Sequence, residues 1–175
     1  MILASALTKQ LDAAWAVGTN AGGLDTGAIA NNTYHVWLIK RIDTGVVDAL
    51  FSLSASAPTM PANYTLKRRI GSIVRTGAAI KAFGQTGDKF VWKVPVVDIS
   101  VANPGTAAVT RTLTVPTGIR VEALLFVAFA ATAQTDLPSG VYLSDLSTTD
   151  TGATGNVNLG SHNLLVLVRN RVFDP

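Results

Sequence analysis

Residues 33–74 read TYHVWLIKRIDTGVVDALFSLSASAPTMPANYTLKRRIGSIV, and this stretch decides the fold. Two apolar arms, residues 34–42 and 46–54, flank Asp43-Thr44-Gly45, which predicts a β-hairpin. A three-residue connection that ends in Gly suits a type I turn followed by a residue of positive φ, a conformation that costs Gly little. The hairpin is therefore the element on which the interpretation of the remaining chain depends.

The two arms of this hairpin differ in their apolar pattern. Alternation in the second arm predicts one dry face carrying Val47, Ala49, Phe51 and Leu53, and one polar face carrying Asp48, Ser52 and Ser54. The first arm is apolar on both faces over residues 36–39. A strand of that kind lies between two layers, either inside a sandwich or at a subunit interface.

Composition limits the classes of protein. Charged residues make up 14% of the 175 residues, against about 25% in an ordinary domain. Burial between subunits explains so low a value, because obligate interfaces are more apolar than ordinary surface. The longest apolar run, residues 123–131, is too short for a membrane-spanning helix. The net charge of +3 is weaker than the basic field typical of nucleic-acid binding, and the absence of cysteine excludes disulfides.

The rest of the chain reads as short strands with one helix. Leu3, Leu7, Leu11 and either Ala14 or Trp15 recur at spacings of three and four, which predicts a short helix over about residues 5–16. Residues 18–32 predict a surface loop. Further strands are predicted at residues 66–75, 79–83, 89–94, 107–115, 119–132, 141–144 and 164–169. The predicted fold is a single all-β domain over residues 1–175, an antiparallel, jelly-roll-like β-sandwich with a short N-terminal helix.

One motif suggests catalysis. Leu24-Asp25-Thr26-Gly27-Ala28 matches the signature of aspartic proteases, in which two carboxylates share a proton and activate a water. Residues 157–165 also resemble the segment that follows in retroviral-type proteases. The residues before Asp25 do not form a hydrophobic strand pattern, however, and Asp-Thr-Gly recurs at Asp43 and Asp150, where a turn explains it. A turn is the preferred interpretation, and a protease using Asp25 is a remote alternative.

The other reactive side chains form no recognisable site. The two histidines are His35 and His162, and neither has a carboxylate at the spacing of a helical zinc ligand. His35 is predicted to be a hydrogen-bonded sheet residue beside Trp37. Neither a Gly-x-Ser-x-Gly motif nor a glycine-rich phosphate loop occurs. The sequence therefore predicts no catalytic residues, no metal and no cofactor.

Lys67-Arg68-Arg69 is the one basic cluster. Strand alternation sends Arg68 to the face opposite Lys67 and Arg69, so the cluster is not a single patch. The open alternatives are pairing with acidic groups of a neighbouring subunit, exposure to solvent, and contact with an anionic glycan. The predicted subunit interface consists of Trp37, Arg68 and Arg69.

Six short strings occur in a defined order: GLDTG (23–27), YHVWLI (34–39), VDALFS (47–52), PTMP (58–61), YT (64–65) and KRRIGSI (67–73). In this order they resemble a segment that recurs in bacteriophage and prophage virion proteins, including the C-terminal regions of tail fibres and head fibres. The resemblance covers about residues 15–92. It implies an externally displayed virion component, typically a trimer, and it carries no catalytic residues.

The expected function is that of a distal fibre or spike module, displayed on the virion as a homotrimer and adsorbing to a bacterial surface glycan or protein. Loops at residues 133–140 and 145–160 are the expected contact surfaces. The alternative is a capsid decoration or tail-assembly protein that contacts only other virion proteins. Neither a nucleic-acid partner nor membrane insertion is expected. The predicted receptor-contact residues are Tyr142, Asp145, Asp150 and His162.

Overall fold

The computed structural model describes residues 2–3, 5–86, 89–102, 109–121, 123 and 125–128. The chain divides into two compact units, one of Met1–Asp98 with Leu113–Arg120 and one of Ile99–Thr112 with Val121–Pro175. In the described residues of the second unit, no helix or strand is assigned. The single domain over residues 1–175 stays a prediction, and the strands predicted at 141–144 and 164–169 lie outside the described residues.

The first unit is built from β-strands. Six of them form one sheet in the order β1-β2-β4-β3-β5-β6, and two form a separate β7-β8 hairpin. The strands β1–β2 and β2–β4 pair in parallel, whereas the remaining pairs are antiparallel. The all-β prediction is confirmed, but the main sheet is mixed rather than antiparallel. The strand bounds are β1 Lys9–Ala14, β2 Ala21–Leu24, β3 Thr33–Arg41, β4 Val47–Ser52, β5 Tyr64–Thr76, β6 Ala79–Ile80, β7 Phe83–Thr86 and β8 Lys89–Trp92.

The predicted hairpin is confirmed as β3 and β4, paired from His35 with Ser52 to Lys40 with Val47. Gly45 has a φ of 74°, and its N–H donates to the carbonyl oxygen of Arg41 at 3.1 Å. Most of β3 is buried on both faces, as predicted, because β4 and β5 flank it and apolar side chains cover each face.

The predicted N-terminal helix at residues 5–16 is wrong, because β1 occupies Lys9–Ala14 and the described residues contain no helix. A spacing of four residues fits a helix, because it is close to one helical turn. It also fits a strand, because residues an even number apart lie on the same face of a strand. Leu11 is buried in this strand. Pairing with β2 supplies the hydrogen bonds that decide between the two structures.

Residues 18–32 are not only a surface loop, because they contain β2, which lies between β1 and β4. The absence of side chains at Gly22 and Gly23 permits this close approach. A Cβ at Gly22 would overlap the carbonyl oxygen of Ala14, and one at Gly23 would lie 2.8 Å from the ring of Phe51. The two glycines therefore indicate tight strand packing rather than a flexible connection.

The prediction of which face of β4 is dry is wrong. Asp48, Leu50 and Ser52 are buried, whereas Val47, Ala49 and Phe51 are only half-buried. The polar residues tolerate burial because their oxygen atoms have hydrogen-bond partners within the fold. The alternating pattern assigned the residues of β4 to the correct two faces. The hydrophobicity of those residues, however, did not show which face is buried.

The strand β5 is longer than predicted and irregular. Its pairing with β3 contains two extra residues, Thr65 and Ile70, which have no partner in the register. Such bulges reverse the expected alternation on either side of them, so the simple period-two reading of residues 66–75 does not hold throughout.

Residues 113–120 lie against the sheet without forming a strand. The Thr117 N–H donates to Thr33 Oγ1 at 3.0 Å, and the carboxylate of Asp98 accepts from both the N–H and the hydroxyl of Thr114. The strands predicted at 107–115 and 119–132 are therefore wrong over their described residues. Side-chain hydrogen bonds replace ladder pairing there.

Two apolar clusters cover the two faces of β3. The first cluster is buried around Leu11, Leu24, Tyr34 and Ile73, and the second around Trp37, Ile39, Leu50 and Tyr64. Tyr34 and Trp37 are an odd number of residues apart in β3, which places them on opposite faces. The described residues include no helix that is long and apolar enough to cross a membrane.

Candidate functional site

The four predicted receptor-contact residues, Tyr142, Asp145, Asp150 and His162, lie outside the described residues and stay predictions. The predicted loops at 133–140 and 145–160 lie outside them too.

The three predicted interface residues have different surroundings. Trp37 is buried in the second cluster, where its Nε1 donates to the carbonyl oxygen of Ser54 at 3.3 Å. The ammonium group of Lys67 lies 5.6 Å from the Trp37 ring centroid. Arg68 and Arg69 are exposed on β5, opposite Leu38 and Trp37 respectively. The register thus places the two arginines on opposite faces of the sheet, while their interface role stays a prediction.

Asp25 directly follows β2, so the aspartate of the Asp-Thr-Gly motif does stand at the end of a strand, contrary to the sequence interpretation. Its N–H donates to the carbonyl oxygen of Phe51 at 2.9 Å, and its Oδ2 accepts from the N–H of Thr59 at 2.8 Å. Gly27 has a φ of 79°, which accounts for the glycine of the motif. The carboxylate therefore ties the turn after β2 to the segment that precedes β5.

A shallow recess of about 370 Å³ opens beside Asp25. Its volume is at the lower end of the range for small-molecule sites. The recess combines a carboxylate acceptor with an indole ring and aliphatic surface, which suits a small ligand that has both polar groups and an apolar face. It is lined by Ala14, Trp15, Asp25, Thr59, Met60, Pro61 and Ala62.

His35 and Ser72 form a buried pair. His35 Nδ1 and Ser72 Oγ share a hydrogen bond of 2.9 Å, so the predicted hydrogen-bonded sheet histidine is confirmed. Burial, together with the nearby positive charge of Arg69, lowers the pKa of His35 below its usual 6.5. A Cβ at Gly118 would lie 3.4 Å from His35 Nε2, so Gly118 packs closely against the ring. The pair is a structural element of the sheet.

A buried ion pair escaped the sequence interpretation. Lys9 Nζ lies 2.9 Å from Asp48 Oδ1, and these side chains are 2% and 1% exposed. The carboxylate also accepts the N–H groups of Gly18 and Ala49, at 2.8 and 2.6 Å. The Lys9 ammonium lies 5.2 Å from the Trp15 ring centroid. The sequence shows an aspartate within the alternating pattern of β4, but no local pattern links it to a lysine 39 residues away.

Tyr64 has a buried hydroxyl group without a hydrogen-bond partner. Its ring packs edge-on against Trp15, with 5.2 Å between the ring centroids. Burial raises the pKa of Tyr64, and the negative charge of Asp48 raises it further. Trp15 lines the recess, and its indole ring is held in place by the Tyr64 ring, by the Lys9 ammonium and by a hydrogen bond to the carbonyl oxygen of Ala49.

Among the residues the structure describes, no group of three or more acidic or histidine side chains converges as metal ligands. Comparisons with protein-family models, with curated proteins and with solved structures find no match to this chain.

Proposed function

We propose that this chain is a non-enzymatic structural protein of a bacteriophage virion, the distal module of a fibre or spike that adsorbs to the bacterial surface. The observation that carries the proposal is the ordered set of strings that resembles virion proteins. These strings correspond to the end of β2, to β3 and β4, to the segment before β5 and to much of β5. The resemblance therefore extends over connected elements of one folded unit rather than over isolated loops.

The proposal includes a sandwich architecture. In this proposal the six-stranded sheet would form one layer of that sandwich.

Contact with the host surface would be shallow. The loops at residues 133–140 and 145–160, with Tyr142, Asp145, Asp150 and His162 as contact residues, are the first candidates, and the recess beside Asp25 adds a second. A carboxylate next to an indole ring can accept hydrogen bonds from hydroxyl groups while the ring covers an apolar face, which is the chemistry that a surface glycan offers.

Assembly as a homotrimer is part of the proposal. A charged fraction of 14% leaves much of the surface to neutral and apolar groups. Large apolar side chains such as Ile42, Leu53 and Leu66 are exposed on the first unit. Burial of such groups between subunits would remove apolar surface from water, with Arg68 and Arg69 at the rim. The mass of the purified protein in solution tests this, and a stable monomer would contradict it.

The rival within the same class is a capsid decoration or tail-assembly protein. Binding of the purified protein to whole host cells and to empty virions separates the two. The adsorption module binds cells, and Asp25→Asn weakens that binding if the recess takes part, whereas Asp12→Asn on the exposed side of β1 does not. Tight binding to virions without any binding to cells would refute adsorption.

The enzymatic rival is the aspartic protease. The position of Asp25 at the end of β2 is the one structural observation in its favour. The bond from the Thr59 N–H gives the same carboxylate a structural role in the turn. Peptide cleavage at mildly acid pH that disappears in Asp25→Asn would support the protease and contradict the proposed function.

A further inference from the structure

The strand β5 has an open outer edge. Its inner edge pairs with β3 along nearly its whole length, but its outer edge pairs with β6 only at Arg75 and Thr76 among the described residues. Residues 65–70 are all exposed. A strand edge of this kind carries unpaired backbone donors and acceptors on which another extended segment can align.

The open edge carries an uncompensated positive charge. Lys67, Arg68 and Arg69 are consecutive on it, and neither ion pair found among the described residues involves them. The Arg69 guanidinium donates to the carbonyl oxygen of Ala55 at 3.1 Å, and Lys67 lies over the Trp37 ring. These contacts hold two of the cations in place without neutralising their charge.

An amide group already occupies one end of this edge. Gln85 Nε2 donates to the carbonyl oxygen of Ile70 at 3.2 Å, and its Oε1 lies so close to Gly71 that a Cβ there would approach it to 2.7 Å. Ile70 is one of the two bulge residues, and its carbonyl accepts a hydrogen bond from outside the β3 ladder. The open segment therefore comprises residues 65–69, close to the length of a typical strand.

We propose that the outer edge of β5 binds an extended acidic peptide segment of a partner protein, which adds to the sheet as a further strand. The backbone groups of residues 65–69 would supply hydrogen bonds, and the three cations would pair with carboxylates on both faces of the added strand. Antiparallel pairing of two β5 edges from two copies would place the basic clusters opposite each other, and like charges there are destabilising. The charge thus disfavours pairing of two β5 edges and favours an acidic segment on this edge. This proposal does not depend on the virion assignment.

The test is a binding titration in which the whole chain is added to labelled short peptides. Fluorescence anisotropy of the label measures how much peptide is bound. A peptide of Glu-Glu-Val repeats, which carries carboxylates on both faces of a strand, is expected to bind, and a peptide of Lys-Lys-Val repeats is not. The Arg68→Glu/Arg69→Glu variant is expected to lose at least about tenfold in affinity for the acidic peptide, equivalent to about 1.4 kcal/mol. The control is Lys40→Glu, a single charge reversal one strand inward, opposite Leu66.

A second peptide separates strand addition from simple charge attraction. The acidic peptide methylated at alternate backbone nitrogens keeps its charge but loses the donors of one edge, so it is expected to bind much more weakly. Equal binding of the methylated and unmethylated peptides would overturn the proposal. Absence of binding by the acidic peptide, or unchanged affinity in the double variant, would overturn it as well. Circular dichroism of each variant verifies that the sheet remains folded.

Discussion

Both faces of β3 are buried, but different interactions cover them. On the first face, the hydroxyl of Tyr34 accepts from the N–H of Ala30 at 2.8 Å and donates to its carbonyl oxygen at 3.2 Å, within an otherwise apolar cluster. The second face buries Asp48 and His35 beside Trp37 and leaves the hydroxyl of Tyr64 without a partner. Apolar packing therefore dominates the first face of β3, whereas the second face depends on the pairing of a few buried polar groups.

The largest expected effect comes from breaking the ion pair on the second face. Asp48→Ala leaves the Lys9 ammonium buried and removes the acceptor for the N–H groups of Gly18 and Ala49. We expect the free energy of unfolding to fall by about 3–5 kcal/mol, the usual cost of an unpaired buried charge. Chemical denaturation of the variant and the parent protein measures this difference in the free energy of unfolding.

The matched control removes both charges. Lys9→Met combined with Asp48→Asn is expected to recover much of the lost stability, because no buried charge remains unpaired. A loss below about 1 kcal/mol in Asp48→Ala would show that this ion pair does not stabilise the second face.

The next test of the contrast between the faces removes the hydroxyl group of one buried tyrosine on each face, Tyr34 on the first and Tyr64 on the second. Tyr34→Phe leaves the Ala30 N–H without its acceptor, and we expect a loss of about 1–3 kcal/mol. Tyr64→Phe removes a buried hydroxyl that has no partner, so we expect no loss or a gain of up to about 1 kcal/mol. Thermal unfolding of the two variants compares them directly, and equal losses would contradict the contrast between the faces.

The histidine on the second face predicts a pH dependence. The pKa of His35 is lowered in the folded protein, so below about its ordinary value of 6.5 the unfolded chain binds more protons than the folded one. Stability is therefore expected to fall as the pH falls from 6.5 toward the lowered value. His35→Gln should flatten this dependence, whereas His162→Gln should keep it. An unchanged slope in His35→Gln would assign the effect to other groups.

The smallest effect belongs to an exposed pair at the turn that joins the two arms. The Arg41 guanidinium, hydrogen-bonded to the carboxylate at 2.6 Å, lowers the pKa of Asp43 from 3.8 to about 2. A carboxylate with a lowered pKa contributes stability above 3.8 that is lost as the pH falls through 2. Asp43→Asn is expected to leave the melting temperature at neutral pH nearly unchanged and to alter only the acid unfolding curve. A large change at neutral pH would be inconsistent with an exposed pair.

Local patterns predicted the centre of the fold well. The hairpin of β3 and β4 followed from the Asp43-Thr44-Gly45 turn between two apolar arms, and the doubly buried β3 followed from apolar residues on both of its faces. The sequence marks Asp25 through its Asp-Thr-Gly motif but does not predict the recess beside it. Its walls come from β1, the turn after β2 and residues 59–62, which are distant in the sequence.

Some patterns are physically ambiguous until a partner strand is present. The spacing of four between Leu7, Leu11 and Trp15 fits a helix and a strand equally, and only pairing with β2 decides it. Similarly, Asp48 and Ser52 looked like solvent-facing residues, because an alternating pattern does not reveal that a lysine elsewhere will neutralise the carboxylate.

The sequence by itself determined the all-β class, the position of the central hairpin and the basic cluster on β5, since these depend on neighbouring residues and the conformations they allow. Only the tertiary structure decided which face of β4 is inside, that β2 enters the sheet in parallel, and that the basic cluster lies along an open strand edge. The physical reason is that burial of a polar group, and exposure of a strand edge, are determined by segments that meet only when the chain folds.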